Sequence, residues 1–190
     1  MILLTEPAPH PVLAPRLPRK RDLFTEDRPN PLSIPFFGVY WVFRWPESQP
    51  PPGSLVTKDS PLRAVFRSAD RFPLSMEARQ NFGSLIDLTC CSSIQLAIRS
   101  EDRYATLDLV VANTTVPGKP SVWLGRVSIG SAVDWRANVA SPAPMVVSFD
   151  VPRQPRIHEF DEAAILFNRP YATASAKIAI DRFVFVPRGF

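Results

Sequence analysis

The sequence predicts an all-β chain, two antiparallel sheets packed as a sandwich behind a proline-rich N-terminal tail. Three observations predict it. Short runs of alternating apolar and polar residues recur after Ser54. Gly, Pro, Asn and Asp interrupt these runs at spacings of about ten residues, as turns between strands do. The 190 residues hold no phosphate-cradling glycine motif, no repeat of fixed period and too few helical stretches for an alternating α/β fold. A chain of this length has room for one domain of ordinary size.

Proline distribution sets the expected boundary. Thirteen of the 22 prolines lie at or before Pro61, and nine follow. Each proline removes a backbone donor, so a folded domain is expected over residues 54–190 and a largely unstructured tail over 1–53. Residues Pro7 to Pro35 read as polyproline II or disorder. The aromatic, β-branched segment at 36–45 stands out from that tail; it is either a strand or a membrane-surface anchor, and its eight-residue core from Phe36 to Phe43 favours the strand. The tail suits a spacer or a docking arm for a protein partner.

The elements then follow in order. Ser75 to Phe82 is expected to make two turns of helix. Ile94, Leu96 and Ile98 alternate with Ser93, Gln95 and Arg99, so one face is core. Ala105, Leu107, Leu109 and Val111 alternate with Tyr104, Thr106 and Asp108, before turn chemistry from Asn113 to Gly118. Val122 and Leu124 flank Trp123, and Gly125 resets the phase to Val127 and Ile129, which predicts a bulge or bend. Met145, Val147, Phe149 and Val151 form the next run. A single helical turn is expected over Arg156 to Phe160, then a strand through Ala163, Ile165 and Phe167. The final run, Ile178 and Ile180 followed by Phe183 and Phe185, changes parity at Asp181 and Arg182, which predicts a second bulge.

Several functions are disfavoured by composition. The net charge of +4 is spread over singly placed arginines, whereas nucleic-acid surfaces need a basic stripe with aromatic platforms. Only Arg16, Arg19, Lys20 and Arg21 cluster, and they sit in the tail. No stretch is long and apolar enough for a transmembrane helix, and the opening Met1-Ile2-Leu3-Leu4 lacks the basic start of a secretory signal. Cys90 and Cys91 are adjacent, without zinc-ligand spacing, so no metal site and no cofactor are expected. A bridge between neighbours closes a strained ring, so one buried and one surface thiol are expected. His158 is the one histidine outside the tail; with no nucleophile-elbow serine it reads as a turn residue, and no enzyme is expected.

Two stretches carry a resemblance. Ile86-Asp87-Leu88-Thr89, Ile94 to Arg99 and Tyr104 to Leu109 resemble the central hairpin of the galactose-binding-like jelly-roll superfamily, which includes many carbohydrate-binding modules. Phe149-Asp150-Val151-Pro152, Phe160 to Phe167 and Ile178 to Phe185 resemble its closing three strands. The resemblance spans Ser84 to Pro187 and implies a jelly roll, a non-catalytic carbohydrate- or glycan-binding module and an extracytoplasmic setting. It departs at Arg182, where the family has a second Asp. The family's structural calcium would therefore leave Asp181 short of partners; Asp181 is expected instead to cap a bulge and accept backbone N–H bonds.

Sugar recognition needs a flat aromatic face and fixed polar groups. On the non-core faces these are Trp123, Tyr104, Arg99 and Asp108, with Trp123 stacking and Arg99 and Asp108 bonding hydroxyls. The plainer reading packs Trp123 under a loop. Trp135 and Tyr171 are further loop aromatics. The alternative function is a structural or assembly jelly-roll domain without a sugar site.

Overall fold

The computed structural model describes residues 12–13, 31–44, 55–57, 74–100, 104–130, 144–168 and 178–188. All regular structure among them is β: β1 (Val12–Leu13), β2 (Leu32–Pro35), β3 (Val39–Arg44), β4 (Leu55–Thr57), β5 (Leu74–Asp87), β6 (Cys91–Ser100), β7 (Tyr104–Ala112), β8 (Ser121–Gly130), β9 (Pro144–Asp150), β10 (Glu159–Asn168) and β11 (Ile178–Pro187). The larger sheet has seven strands, ordered β4-β3-β5-β10-β7-β8, with β1 added to β5; the smaller runs β2-β11-β6-β9. Pairing is antiparallel except for the two-residue β1, which joins β5 in parallel. The chain is a two-sheet jelly-roll sandwich.

The alternating runs face as their parity requires. Ile94, Leu96 and Ile98 meet Leu107, Leu109 and Ile165 across the core, all essentially buried. Phe82 packs edge-on to Phe160, Phe183 and Phe185, at centroid distances of 5.9, 5.2 and 5.7 Å. Both expected bulges are present: pairing of β7 with β8 shifts between Leu109 and Val110, opposite Gly125, and pairing of β11 with β6 shifts between Ile180 and Arg182.

Three expectations are corrected. Ser75 to Phe82 lies in β5, paired with β3 on one edge and β10 on the other. Its helix-favouring Met, Glu, Ala, Arg and Gln yield to ladders on both sides, because tertiary pairing outweighs local propensity. Arg156 to Phe160 forms no helical turn either; it is irregular chain entering β10. The stretch likened to a central hairpin holds no hairpin, since β6 belongs to the smaller sheet while β5 and β7 belong to the larger, and the chain crosses between layers at each connection.

The sandwich also recruits strands N-terminal to Ser54. β2 pairs with β11, and β3 pairs with β5. The crossover between them is fixed by Gln80, whose Oε1 accepts the Phe37 N–H at 3.0 Å and whose Nε2 donates to the Pro35 carbonyl. Gly38 lies so close to β5 that a Cβ there would fall 2.3 Å from the Arg79 carbonyl oxygen. Tyr40 reaches through the core, and its Oη accepts the Ile180 N–H at 2.9 Å, joining the two sheets at the β11 bulge. Burial pushes its hydroxyl up to about 12. Val39 to Arg44 of the aromatic segment thus form a strand of the larger sheet. The tail before the segment, apart from β1, Pro31 and β2, lies outside the described residues.

Cys91 is buried and Cys90 half-buried. Both thiols donate to the Asp87 carbonyl oxygen, at 3.5 and 3.3 Å, and burial pushes both pKa values up.

Candidate functional site

The outer face of the larger sheet carries an exposed indole. Trp123, on the edge strand β8, is 59% exposed, against 0% for the core Leu107 and Leu109 of the adjoining strand. The bulge creates its setting. Val110 pairs with Trp123 and Asp108 with Arg126, so three residues of β7 span four of β8. The extra residue puts Trp123 and Arg126 on one face although they are three apart in sequence. Gly125, at φ +130°, takes the backbone conformation this requires, which a side chain would strain.

Asp108 lies beneath this pair, only 6% exposed. Its Oδ1 accepts from Arg126 Nε at 2.8 Å and from Trp123 Nε1 at 3.3 Å. Its Oδ2 accepts from Arg126 Nη2 at 2.7 Å and from Asn168 Nδ2 at 2.9 Å. A carboxylate has about four acceptor sites, and these four donors fill them. Asp108 thus positions its neighbours and keeps no lone pair for a sugar hydroxyl. The bidentate bond fixes the guanidinium plane and leaves Nη1 turned away from the carboxylate.

Further across the face, register places Trp41, Glu77, Leu166, Asp108 and Arg126 in one row over five strands. Neighbouring strands are about 4.8 Å apart, so the Trp41 and Arg126 positions are separated by roughly 19 Å across four strand spacings. Glu77 is buried and accepts from Arg79 Nε at 2.8 Å; Arg79 also approaches Glu162 at 3.7 Å. Burial raises the Glu162 pKa against the opposing pull of Arg79. The face is therefore charge-compensated around its arginines. Among the described residues, the buried Trp41 Nε1 has no acceptor.

The structure does not gather all the expected site residues. Asp108 and Trp123 are in direct contact. Tyr104 opens β7 opposite Gly130, at the far end of the same strand pair. Arg99 lies on β6, in the other sheet, and donates from Nε and Nη2 to Asp181 Oδ1 at 3.0 and 2.8 Å. It cannot share a ligand with Trp123, because the whole core lies between them. The Asp181 carboxylate is thus held by a guanidinium, not by the backbone N–H groups expected; its carbonyl accepts the Phe36 N–H. Arg126 and Asn168 were not singled out from sequence, and only the Gly125 phase reset hinted that Arg126 shares the Trp123 face. Trp135 and Tyr171 lie outside the described residues. Among the described residues no group of three potential metal-ligating side chains is assembled, and no helix is long and apolar enough to cross a membrane.

No family model matches the chain, and no curated protein matches it by sequence. Among solved structures it is similar to a carbohydrate-binding module, CBM28, specific for non-crystalline cellulose, at 11% identity over 65% of this chain and 69% of that one, TM-score 0.37. It is also similar to CsCBM6-3 from Clostridium stercorarium in complex with cellobiose, at 13% identity over 66% and 82%, TM-score 0.35. A third is the CBM22-1–GH10 portion of xylanase 10B from Clostridium thermocellum complexed with xylohexaose, at 6% identity, TM-score 0.30, where 66% of this chain spans 25% of that one. The jelly-roll class itself rests on this chain's own strand order.

Proposed function

We propose that the chain is a non-catalytic carbohydrate-binding module whose contact surface is the outer face of the larger sheet around Trp123. The observation that carries this reading is the exposed indole held at its N–H edge by a buried carboxylate. A large aromatic left in water costs free energy unless something covers it, and a ring oriented in advance loses little entropy when a pyranose stacks on it. Arg126 supplies donors of fixed direction beside the ring, and Thr106 and Asn168 add polar groups on the same face. Tyr104 is assigned to the end of this surface. Arg99 is left out of it.

An exposed platform buries only part of a small ligand, so millimolar to micromolar affinity is expected, about 4 to 8 kcal/mol. A glycan array with the purified chain, followed by titration of the best ligand, tests the reading. Trp123→Ala is expected to abolish binding while moving Tm by no more than about two degrees, since exposed positions contribute little to stability. An array without binders, or a Trp123→Ala variant that binds as well as the parent, would leave a structural or assembly domain as the better reading.

A further inference from the structure

A cavity lies at one end of the sandwich, just before the start of β8. It is an open cleft of about 410 Å³ between the β7–β8 turn and the chain entering β10, lined by Asn113, Pro120, Arg156, Ile157, His158 and Glu159. That volume falls within the usual range of small-molecule sites.

Its walls are fixed without a ligand. On one side the Asn113 N–H donates to the Pro120 carbonyl at 2.9 Å, and Asn113 Oδ1 accepts both the N–H and the hydroxyl of Thr115. Thr114 is clamped by Asp161, which also accepts from Asn81 on β5. On the other side the His158 carbonyl accepts the Leu88 N–H at 2.7 Å, and Ile157 is anchored in the core.

Among the described residues, most of the polar side chains that line the cleft keep hydrogen-bonding capacity to spare. Arg79, Arg99 and Arg126 each bind a carboxylate. Arg156, although it shares the cleft with Glu159, makes no hydrogen bond or ion pair among the described residues, and neither do the side chains of His158 and Glu159. Asn113 has committed its oxygen and keeps its amide donors. The cleft thus offers a guanidinium, an imidazole and an amide as donors, one carboxylate as acceptor, and the apolar edges of Ile157 and Pro120.

We infer that this cleft binds a sugar bearing a carboxylate, a hexuronate residue. The Arg156 fork matches a carboxylate in two parallel bonds, His158 and Asn113 supply further donors, and Glu159 accepts from ring hydroxyls. Ile157 and Pro120 meet the C–H face of the ring. Glu159 also disfavours a small, more highly charged anion such as phosphate. The inference does not use the Trp123 indole, which lies three residues along the chain from Pro120 and is held at its N–H by Asp108.

Titration of the full chain, followed through its amide NMR spectrum, tests it with glucuronate, galacturonate, glucose and inorganic phosphate. Saturable uronate binding is expected, with shifts centred on Asn113 to Thr115 and 156–159, and glucose and phosphate weaker by roughly tenfold or more. Arg156→Gln should weaken uronate by a similar factor, Arg156→Lys should recover part of it, and Trp123→Ala should leave it unchanged. Arg156 is exposed, so these variants should keep the parent's spectrum elsewhere. Glucose equal to uronate, phosphate equal to uronate, an indifferent Arg156→Gln variant, or no saturation with either uronate would each overturn the inference.

Discussion

Tyr40→Phe isolates the bond that ties the N-terminal segment into the sandwich. The substitution keeps the ring, which packs at 5.1 Å from Phe36, and removes one oxygen. That oxygen is the acceptor for the Ile180 N–H at a bulge where the β11 ladder is interrupted, and both residues are at most 5% exposed. A buried N–H left without an acceptor costs about 1 to 3 kcal/mol. For a domain of this size each kcal/mol lowers Tm by roughly 2 to 4 °C, so a central loss of about 2 kcal/mol should lower Tm by about 4 to 8 °C. The pH dependence gives a second, independent reading. The Tyr40 hydroxyl is raised from 10.0 to about 12 by burial. Its folded pKa exceeds its unfolded one, so its contribution is complete below pH 10 and is lost as pH rises towards 12, about 3 kcal/mol for a two-unit shift. The phenylalanine variant has no such group, and its stability should converge on that of the parent over this window. The Cys90 and Cys91 thiols titrate in both proteins and cancel in the difference. Chemical denaturation of both proteins from pH 7 to 12 provides the measurement. Equal Tm values at pH 7 together with parallel pH curves would refute the bond's role and the inclusion of β3 in the core.

Gly38→Ala should destabilise by about 1 to 3 kcal/mol, seen as a lower urea midpoint, because its Cβ would fall 2.3 Å from the Arg79 carbonyl oxygen and 2.9 Å from Gln80 Cβ. Asp108→Ala should weaken any ligand that needs Trp123 by roughly tenfold without having touched it, since Trp123 and Arg126 both lose their anchor; affinity equal to the parent's would show that the clamp is irrelevant. For Asp161, burial works to raise the pKa, but bonds from Thr114 and Asn81 outweigh it and hold it below 3.8. Its folded pKa is depressed, so its stabilisation is present above pH 3.8 and fades as pH falls through the lower folded value. Asp161→Ala should therefore flatten the acid limb of the stability profile and speed hydrogen exchange at Thr114; an unchanged acid limb would count against that network.

Strand parity is a local property, and the sequence by itself determined it. Ile94, Leu96 and Ile98, or Ala105, Leu107 and Leu109, alternate because successive side chains of a strand point to opposite faces; the same rule located the bulges at Gly125 and at Asp181 to Arg182. The exposed side of Trp123 followed from its neighbours Val122 and Leu124. Parity does not say which sheet a strand joins. Arg99 and Trp123 both lie on non-core faces, yet the chain changes layers between β6 and β7, and only that crossing put them on opposite sides of the molecule. The strand over Ser75 to Phe82 was likewise hidden, because its residues favour a helix until β3 and β10 claim both edges. Proline content marked the N-terminal region as tail, whereas Gly38, Tyr40 and Gln80 draw part of it into the sandwich through contacts with residues 41 to 140 positions away. Asp108 changed most. In sequence it is one polar residue of an alternating strand, and in the fold three side chains from β8 and β10 converge on it and fill its lone pairs. Such convergence depends on which strands become neighbours, and that is decided when long-range pairing closes the sheet.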